Sequence, residues 1–312
     1  MKRKYLVTGG AGFIGSHLVE SLVNQGQEVR VVDNFLTGNR ENLADFIDEI
    51  VLIEGDIRDL ETCEKVVDGV DYVFHEAALP SVPRSIADPV LTNAINVEGT
   101  LNLLVASSEA KVKKVVFASS SSVYGNDPDL PKKEGKVGVP LSPYAVTKLV
   151  GEKYMQVFSE IYALETVCLR YFNVFGSRQD PHSQYAAVIP HFITSIIKGE
   201  SPRIFGDGEQ SRDFTYVANI VKANMLAVEM ENISGEVLNI ACGDRITVNT
   251  LFEKIKHFVR KDIDPVYDKP RPGDILHSFA DIEKARTMLK YNPTVPFEEG
   301  LWETIQSYGN KE

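Results

Sequence analysis

Cysteine is scarce. Cys63, Cys168 and Cys242 are the three in 312 residues, an odd number without the paired spacing of a metal site. Each stands in an apolar context, which predicts buried thiols in a reducing cytoplasm rather than a disulfide framework. Basic charge is short as well. Thirty-three Lys and Arg face 44 Asp and Glu, a formal charge of −11 that argues against a nucleic-acid partner, though it leaves room for a local basic pocket. No apolar run approaches the length of a membrane span. The opening MKRKYLVTGG loses its apolar character after Tyr5-Leu6-Val7, too soon for a signal-peptide core. No G-x-S-x-G elbow marks a serine hydrolase. HEAAL at 75–79 opens like a zinc-protease helix but lacks the second histidine, so no metal centre is expected.

What is present is ordinary in bulk: 43% hydrophobic and 25% charged residues, in a chain long enough for one large domain or two moderate ones. The first 170 residues alternate short apolar runs with helical patterns. KYLVTG, EVRVVD, IVLIEGD, DYVFHEA, KVVFASS and ETVCLRYF read as strands. Helices are expected near 13–25, 59–67, 89–110 and 143–162. The alternation predicts an α/β fold with a parallel sheet covered on both faces, and continuously apolar strands fit that burial. Beyond 171 the rhythm changes to Gly-, Pro- and polar-rich stretches such as GESPRIFGDGEQSRDF, which read as binding loops of a smaller C-terminal lobe. A segment near 214–242 again reads helix then strand. The expected division is 1–170 plus about 214–242 for a dinucleotide-binding domain, with 171–213 and 243–312 forming the second lobe.

KYLVT runs into GGAGFIGSHLVESLVNQG, where Gly9, Gly12 and Gly15 make G-x-x-G-x-x-G before an amphipathic helix. Glycine permits positive φ and lets a pyrophosphate approach the backbone at the helix N-terminus. Asp33 ends the next strand, 24 residues past Gly9. An acid there accepts hydrogen bonds from the adenosine ribose hydroxyls and favours NAD over its phosphorylated relative. A plain tight turn with a surface Asp is the bland alternative. A nucleotide-triphosphate P-loop fits worse, because Gly15 is followed by Ser16 where Lys is required.

LSPYAVTKLVGEKY, 141–154, places Tyr144 and Lys148 one turn apart on a helix that Ser142 can cap and Pro143 can start. A free phenol titrates near pH 10, so a neutral-pH base needs about 4 kcal/mol of preference for its phenolate. One ammonium at about 4 Å in an effective dielectric of about 20 supplies energy of that order. The pair is then a candidate general base beside NAD. Alone it could equally decorate an amphipathic helix. FASSSSVYG, closing a predicted parallel strand, puts hydroxyls where doubly wound sheets bind ligands, although Ser119 and Ser122 could simply cap the strand end.

Together GGAGFIG, SSSSVYG, PYAVTK, LRYFNVFG and SRDFTYV resemble the extended short-chain dehydrogenase/reductase family, and within it the UDP-hexose 4-epimerases, especially the branch acting on UDP-N-acetylglucosamine. The resemblance implies a Rossmann-type doubly wound sheet, bound NAD, a UDP-sugar substrate, a homodimer built on the helices near 89–110 and 143–162, and a cytoplasmic enzyme. It implies Tyr144 as proton acceptor, Lys148 on the nicotinamide ribose, and Ser120, with Ser121 close behind, on the sugar's reacting hydroxyl. Gly9, Gly12, Phe13, Ile14 and Gly15 would hold the pyrophosphate, and Asp33 with Asn34 the adenosine ribose. Asp56 and Ile57 would meet the adenine, while Ala77, Ala78, Asn96 and Tyr171 make further cofactor contacts. On the substrate side it implies Asn173 at the diphosphate, with Val188, Arg203, Phe205, Arg212, Arg271 and Asp274 clamping the nucleotide. Arginine suits a diphosphate, because its planar donors pair with two oxygens at once.

Ser121 and Ser122 stand where related dehydratases carry Asp-Glu, which disfavours elimination. The implied cycle is oxidation at the sugar's fourth carbon, rotation of a 4-keto intermediate and reduction on its other face. Ser278 matches a gatekeeper position that is bulky in relatives restricted to unacetylated sugars, and SVPRS (81–85) and QYAAVIP (184–190) also resemble the N-acetyl-hexosamine branch. UDP-GlcNAc and UDP-GalNAc are the expected substrates, with UDP-Glc and UDP-Gal accepted too. A UDP-glucuronate 4-epimerase ranks second, although Asn173 stands where those enzymes tend to carry Thr. A 4,6-dehydratase and a non-catalytic NAD-binding sensor stay behind it.

Overall fold

The computed structural model describes residues 2–181, 187–270 and 276–309. β1 (Lys4–Thr8), β2 (Glu28–Asp33), β3 (Ile50–Glu54), β4 (Tyr72–His75), β5 (Lys114–Ser120), β6 (Glu165–Tyr171) and β7 (Glu236–Ile240) form one sheet. Its strand order is 7-6-5-4-1-2-3 and every pairing is parallel. Successive strand residues feed opposite cores. Tyr5 and Val7 join one, Leu6 the other.

Eight helices carry the argument: α1 (Phe13–Asn24), α2 (Leu60–Val67), α3 (Gly99–Glu109), α4 (Pro143–Ile161), α5 (Val188–Lys198), α6 (Val217–Glu229), α7 (Val248–Val259) and α8 (Phe297–Gly309). α1 and α6 bury Leu18, Leu22, Ile220 and Ala223 on one sheet face. α2, α3 and α4 bury Val66, Leu103, Met155 and Phe158 on the other. The doubly wound sheet expected from the alternation is therefore present. A separate core gathers Phe192 and Ile193 of α5, Leu251 and Phe252 of α7, and Leu301 and Ile305 of α8.

Three local features differ from the sequence expectation. A short helix at Val82–Ala87 precedes the one expected from 89, because Ser81 caps it (Arg84 N–H to Oγ, 3.3 Å) and Asp88 restarts the chain at Pro89–Asn93 (Leu91 N–H to Oδ1, 3.0 Å). Ala94–Glu98 is then a π turn before α3. Beyond 199, the polar loops contain paired segments. Arg203–Phe205 pairs with Val266–Asp268, and Ser211–Arg212 sits between Ile246–Thr247 and His277–Ser278. Strands of two or three residues carry too little alternation to be read in advance.

The chain leaves β1 toward β2 and β3, then returns to the other side of β1 for β4. At that reversal the loops after β1 and β4 diverge and open a crevice at the carboxyl ends of the strands.

Candidate active site

The crevice is a cleft of about 1050 Å³. Its floor is the glycine turn. Gly9 has φ +68°, and a Cβ there would lie 2.8 Å from the Ala77 backbone. A Cβ on Gly15 would lie 2.3 Å from the Gly9 carbonyl oxygen, so α1 can begin this close to β1 only with glycine. Gly12 is the α1 N-cap and offers no side chain to the helix's first amides. An anionic group laid across the turn would meet those amides and the positive end of the helix dipole.

Asp33 ends β2 buried, with Oδ2 accepting from Ala11 N–H at 3.0 Å and Oδ1 from Phe35 N–H at 2.8 Å. Burial pushes its carboxyl upward while the two amides hold it down. Two of about four acceptor positions are thereby used, leaving room for a pair of ribose hydroxyls. Asn34 donates to Asp56 Oδ2 at 2.8 Å. Arg58 grips Asp56 through Nε at 3.0 Å and Nη2 at 2.7 Å, and holds it down at about 2.

Ser142 caps α4 by accepting from Ala145 N–H at 3.2 Å, and Pro143 supplies the first helical residue. That start aims Tyr144 and Lys148 into the cleft. Lys148 is 3% exposed; its Nζ donates to the Ala118 carbonyl at 2.7 Å and lies 6.0 Å from the Tyr144 ring centre. Burial pulls the Lys148 ammonium down to about 8. Burial pushes the Tyr144 phenol up to about 12, against the lowering effect of its hydrogen bond with Ser120; the Glu76 carboxyl adds to the rise. Desolvation dominates at the phenol, and the lysine's ammonium is turned on the Ala118 carbonyl.

Ser119 is committed inward. Its Oγ donates to Glu152 Oε1 at 2.5 Å, and Arg170 clasps the same carboxylate through Nε and Nη2, both at 2.8 Å. Ser119 therefore ties β5 to α4, the structural alternative raised by the sequence. Ser120 accepts from Ser122 N–H at 3.2 Å and reaches Tyr144, while Ser121 begins the following turn.

Of the expected cofactor positions, Gly9, Gly12, Phe13, Ile14, Gly15, Asp33, Asn34, Asp56, Ile57, Ala77, Ala78, Tyr144, Lys148 and Tyr171 line the cleft. Asn96 does not. It sits buried in the π turn, accepting from Leu79 N–H at 2.7 Å and donating to Leu79 O at 3.2 Å and Thr147 Oγ1 at 3.1 Å. Its amide holds the Leu79 loop against α4.

The expected substrate positions stand mostly on the second lobe. Asn173 adopts φ +35° and donates to Asp213 O at 3.2 Å. Val188 opens α5, and Arg203 is exposed beside Asp268 at 3.3 Å. Phe205 ends that short strand. Arg212 donates to Ser211 O at 2.9 Å and Leu276 O at 3.2 Å, with Ser278 opposite it in register. None of these lines the cleft wall beside Tyr144, while Arg271 and Asp274 lie outside the described residues.

Two cleft groups escaped the sequence. Arg178 lies 2.9 Å from Glu20, with a buried Nη1 that has no partner among the described residues. Glu76, dismissed with HEAAL, follows β4 directly and accepts from Tyr171 Oη at 2.7 Å. A carboxylate at the carboxyl end of a strand beside the reversal was the signal available. Among the described residues no cluster of three or more His, Cys, Asp and Glu is placed to hold a metal, and no helix is long and apolar enough to cross a membrane.

A family model described as the NAD dependent epimerase/dehydratase family matches residues 5–241. The chain is similar over 100% of both lengths to a UDP-N-acetylglucosamine 4-epimerase of Methanobrevibacter ruminantium in complex with UDP-N-acetylmuramic acid, at 46% identity and TM-score 0.96. It is similar to a UDP-glucose 4-epimerase of Thermotoga maritima with UDP-glucose, at 40% identity and TM-score 0.94 over 99% of each chain. A UDP-glucuronic acid 4-epimerase variant of Bacillus cereus, in complex with NAD and UDP-4-deoxy-4-fluoro-glucuronic acid, matches at 33% identity and TM-score 0.92, covering 99% of this chain and 100% of that one.

Proposed function

The chain belongs to the NAD dependent epimerase/dehydratase family, and from that membership we propose that it inverts the fourth carbon of UDP-N-acetylhexosamines, taking UDP-glucose and UDP-galactose as well. At the coarser level it is an NAD-dependent epimerase of UDP-sugars. The glycine cradle, too tight for a Cβ at Gly9 or Gly15, and the Asp33 carboxylate fit NAD. The observation that carries the reading is Tyr144, Lys148 and Tyr171 on the cleft wall above that cradle, with Ser120 bonded to the phenol.

NAD, when bound, supplies hydride uptake and return at the sugar's fourth carbon, together with a positive ring charge. Tyr144 takes the proton of the fourth-carbon hydroxyl, keeps it while the sugar is a 4-ketone, and returns it to the new epimer. Ser120 holds the reacting oxygen and lowers the cost of ionising Tyr144. Lys148, fixed by Ala118 O, keeps a positive charge beside the proton path. Proton and hydride both return to the sugar, so no net redox follows. Elimination has no acid at Ser121 or Ser122 to drive it.

Acetyl-sugar preference is supported by the SVPRS turn, whose Ser81 and Arg84 line the cleft, and by similarity to an N-acetylglucosamine enzyme; the small Ser278 contributes only what the family resemblance implies. Pairing of two copies through α4 is supported by an exposed apolar stripe of Val146, Val157 and Ile161. A cytoplasmic setting accords with three free cysteines. Incubating the protein separately with UDP-GlcNAc, UDP-Glc and UDP-GlcA, then resolving the products, tests the sugar. Epimer formation from UDP-GlcNAc is expected; turnover of UDP-GlcA alone overturns the assignment.

A further inference from the structure

Lys148 is a buried cation whose nearest hydrogen-bond partner is a neutral carbonyl. A buried charge of this kind requires compensation from somewhere nearby. Two carboxylates act on it electrostatically, Glu76 and Glu152. Glu152 is already neutralised by its two-point grip on Arg170. Glu76 carries no such partner. It follows β4, lines the cleft with Tyr144, Lys148 and Tyr171, and is pinned by Tyr171 Oη at 2.7 Å. Asn224 of α6 in turn donates to that same Oη at 2.7 Å, which leaves the tyrosine proton for Glu76.

We propose that Glu76 is a positioning residue of the proton-transfer site: held by Tyr171, its carboxylate is the counter-charge that keeps Lys148 an ammonium, and it opposes premature ionisation of Tyr144. The inference rests on the assignment of Tyr144 as the base. It gives HEAAL a task that neither the glycine cradle nor the serine run performs.

The surroundings of Glu76 can be enumerated by element. From α4 come Tyr144 and Lys148, from β6 Tyr171, and from α6 the uncharged Asn224. β1 contributes Thr8, whose carbonyl accepts the Glu76 N–H at 3.2 Å. The neighbouring His75 is occupied by Thr8 Oγ1 at 2.8 Å and Thr100 Oγ1 at 2.9 Å, and burial pulls it down to about 3, so it stays neutral. Burial pushes Glu76 up to about 7, with Tyr171 and Lys148 opposing the rise. Its charge is therefore present on the alkaline side of neutrality, where Lys148 begins to lose its proton.

Glu76→Gln keeps the shape and an oxygen acceptor for Tyr171 but removes the charge. Without that charge both Lys148 and Tyr144 release their protons more easily, so the bell-shaped pH profile of kcat/KM moves toward acid. The alkaline limb moves by on the order of one pH unit. The acid limb moves less, because Glu76 is itself protonated there. Near-ultraviolet titration of the phenol, taken as the difference from the same protein carrying Tyr144→Phe, should show ionisation at lower pH in Glu76→Gln without turnover being involved. Glu76→Asp retains the charge and is expected to keep the alkaline limb in place with a reduced kcat. An unmoved limb in Glu76→Gln, or an equal shift in Glu76→Asp, overturns the proposal. Carboxyl-carbon NMR supplies a reading that does not depend on the Glu76 variants folding. Glu76 should titrate higher in Lys148→Met than in the wild type, and coincident curves sink the coupling. If Tyr144→Phe retains full turnover, the base assignment itself has failed, a result separable from any behaviour of Glu76.

Discussion

Tyr144 and Lys148 stand one helical turn apart, and burial moves their proton affinities in opposite directions, the phenol to about 12 and the ammonium to about 8. Each is displaced toward its uncharged form, as a low-dielectric cleft demands. Tyr144→Phe removes only the hydroxyl. We expect turnover to fall by roughly 10²–10⁴-fold while UDP-sugar binding persists, as rate assays and calorimetric titration will show. Glu76 yields a stability prediction at the same scale. Its carboxyl is raised from 4.5 to about 7, so the native state holds a proton that the unfolded chain has released across that window. Wild-type stability is therefore full below the lower value and declines as pH rises to the upper one. Glu76→Gln escapes that decline. Its melting temperature relative to wild type, measured without ligand, should climb across the window and then level off.

The β1–α1 turn is governed by close approach of backbone to backbone. Gly15→Ala forces a methyl to within 2.3 Å of Gly9 O and 2.8 Å of Gly10 Cα, neither of which can rotate away. The helix start must shift, so we expect a lower melting temperature and at least tenfold weaker NAD binding by fluorescence titration. Gly135→Ala, with nothing within 4 Å, serves as the neutral control. The β6–α4 contact depends instead on a buried ion pair, Arg170 with Glu152. Arg170→Met strands the Glu152 carboxylate, and urea unfolding should show a loss of about 3–5 kcal/mol. Replacing Glu152 by Leu in the same chain should recover most of it, because no orphaned charge then remains.

At the level of the whole molecule, α4 serves two sides. Its inner face brings Tyr144 and Lys148 to the cleft, while Val146, Val157 and Ile161 project outward, the last 70% exposed. The proposed pairing of two copies would cover this apolar stripe. Ile161→Glu should then give the mass of a single chain in light scattering where the wild type gives twice that mass.

Parallel strands buried on both faces spell themselves out as apolar runs, so β1 to β6 lie within a residue or two of their expected positions. The glycine turn and the capped start of α4 were equally legible, because each is set by a few neighbouring residues with stereochemical demands of their own. What the chain's order alone left open was every relation across a distance. Asn96 met a loop 17 residues away, Ser119 turned to Glu152 rather than to a ligand, and Glu76 found Tyr171 95 residues on. Burial, a property of the assembled fold, set the proton affinities that make Tyr144 a poor base until charge is brought to it. Local stereochemistry and hydrophobic pattern are written residue by residue; desolvation and long-range pairing exist only once the sheet has closed around the cleft.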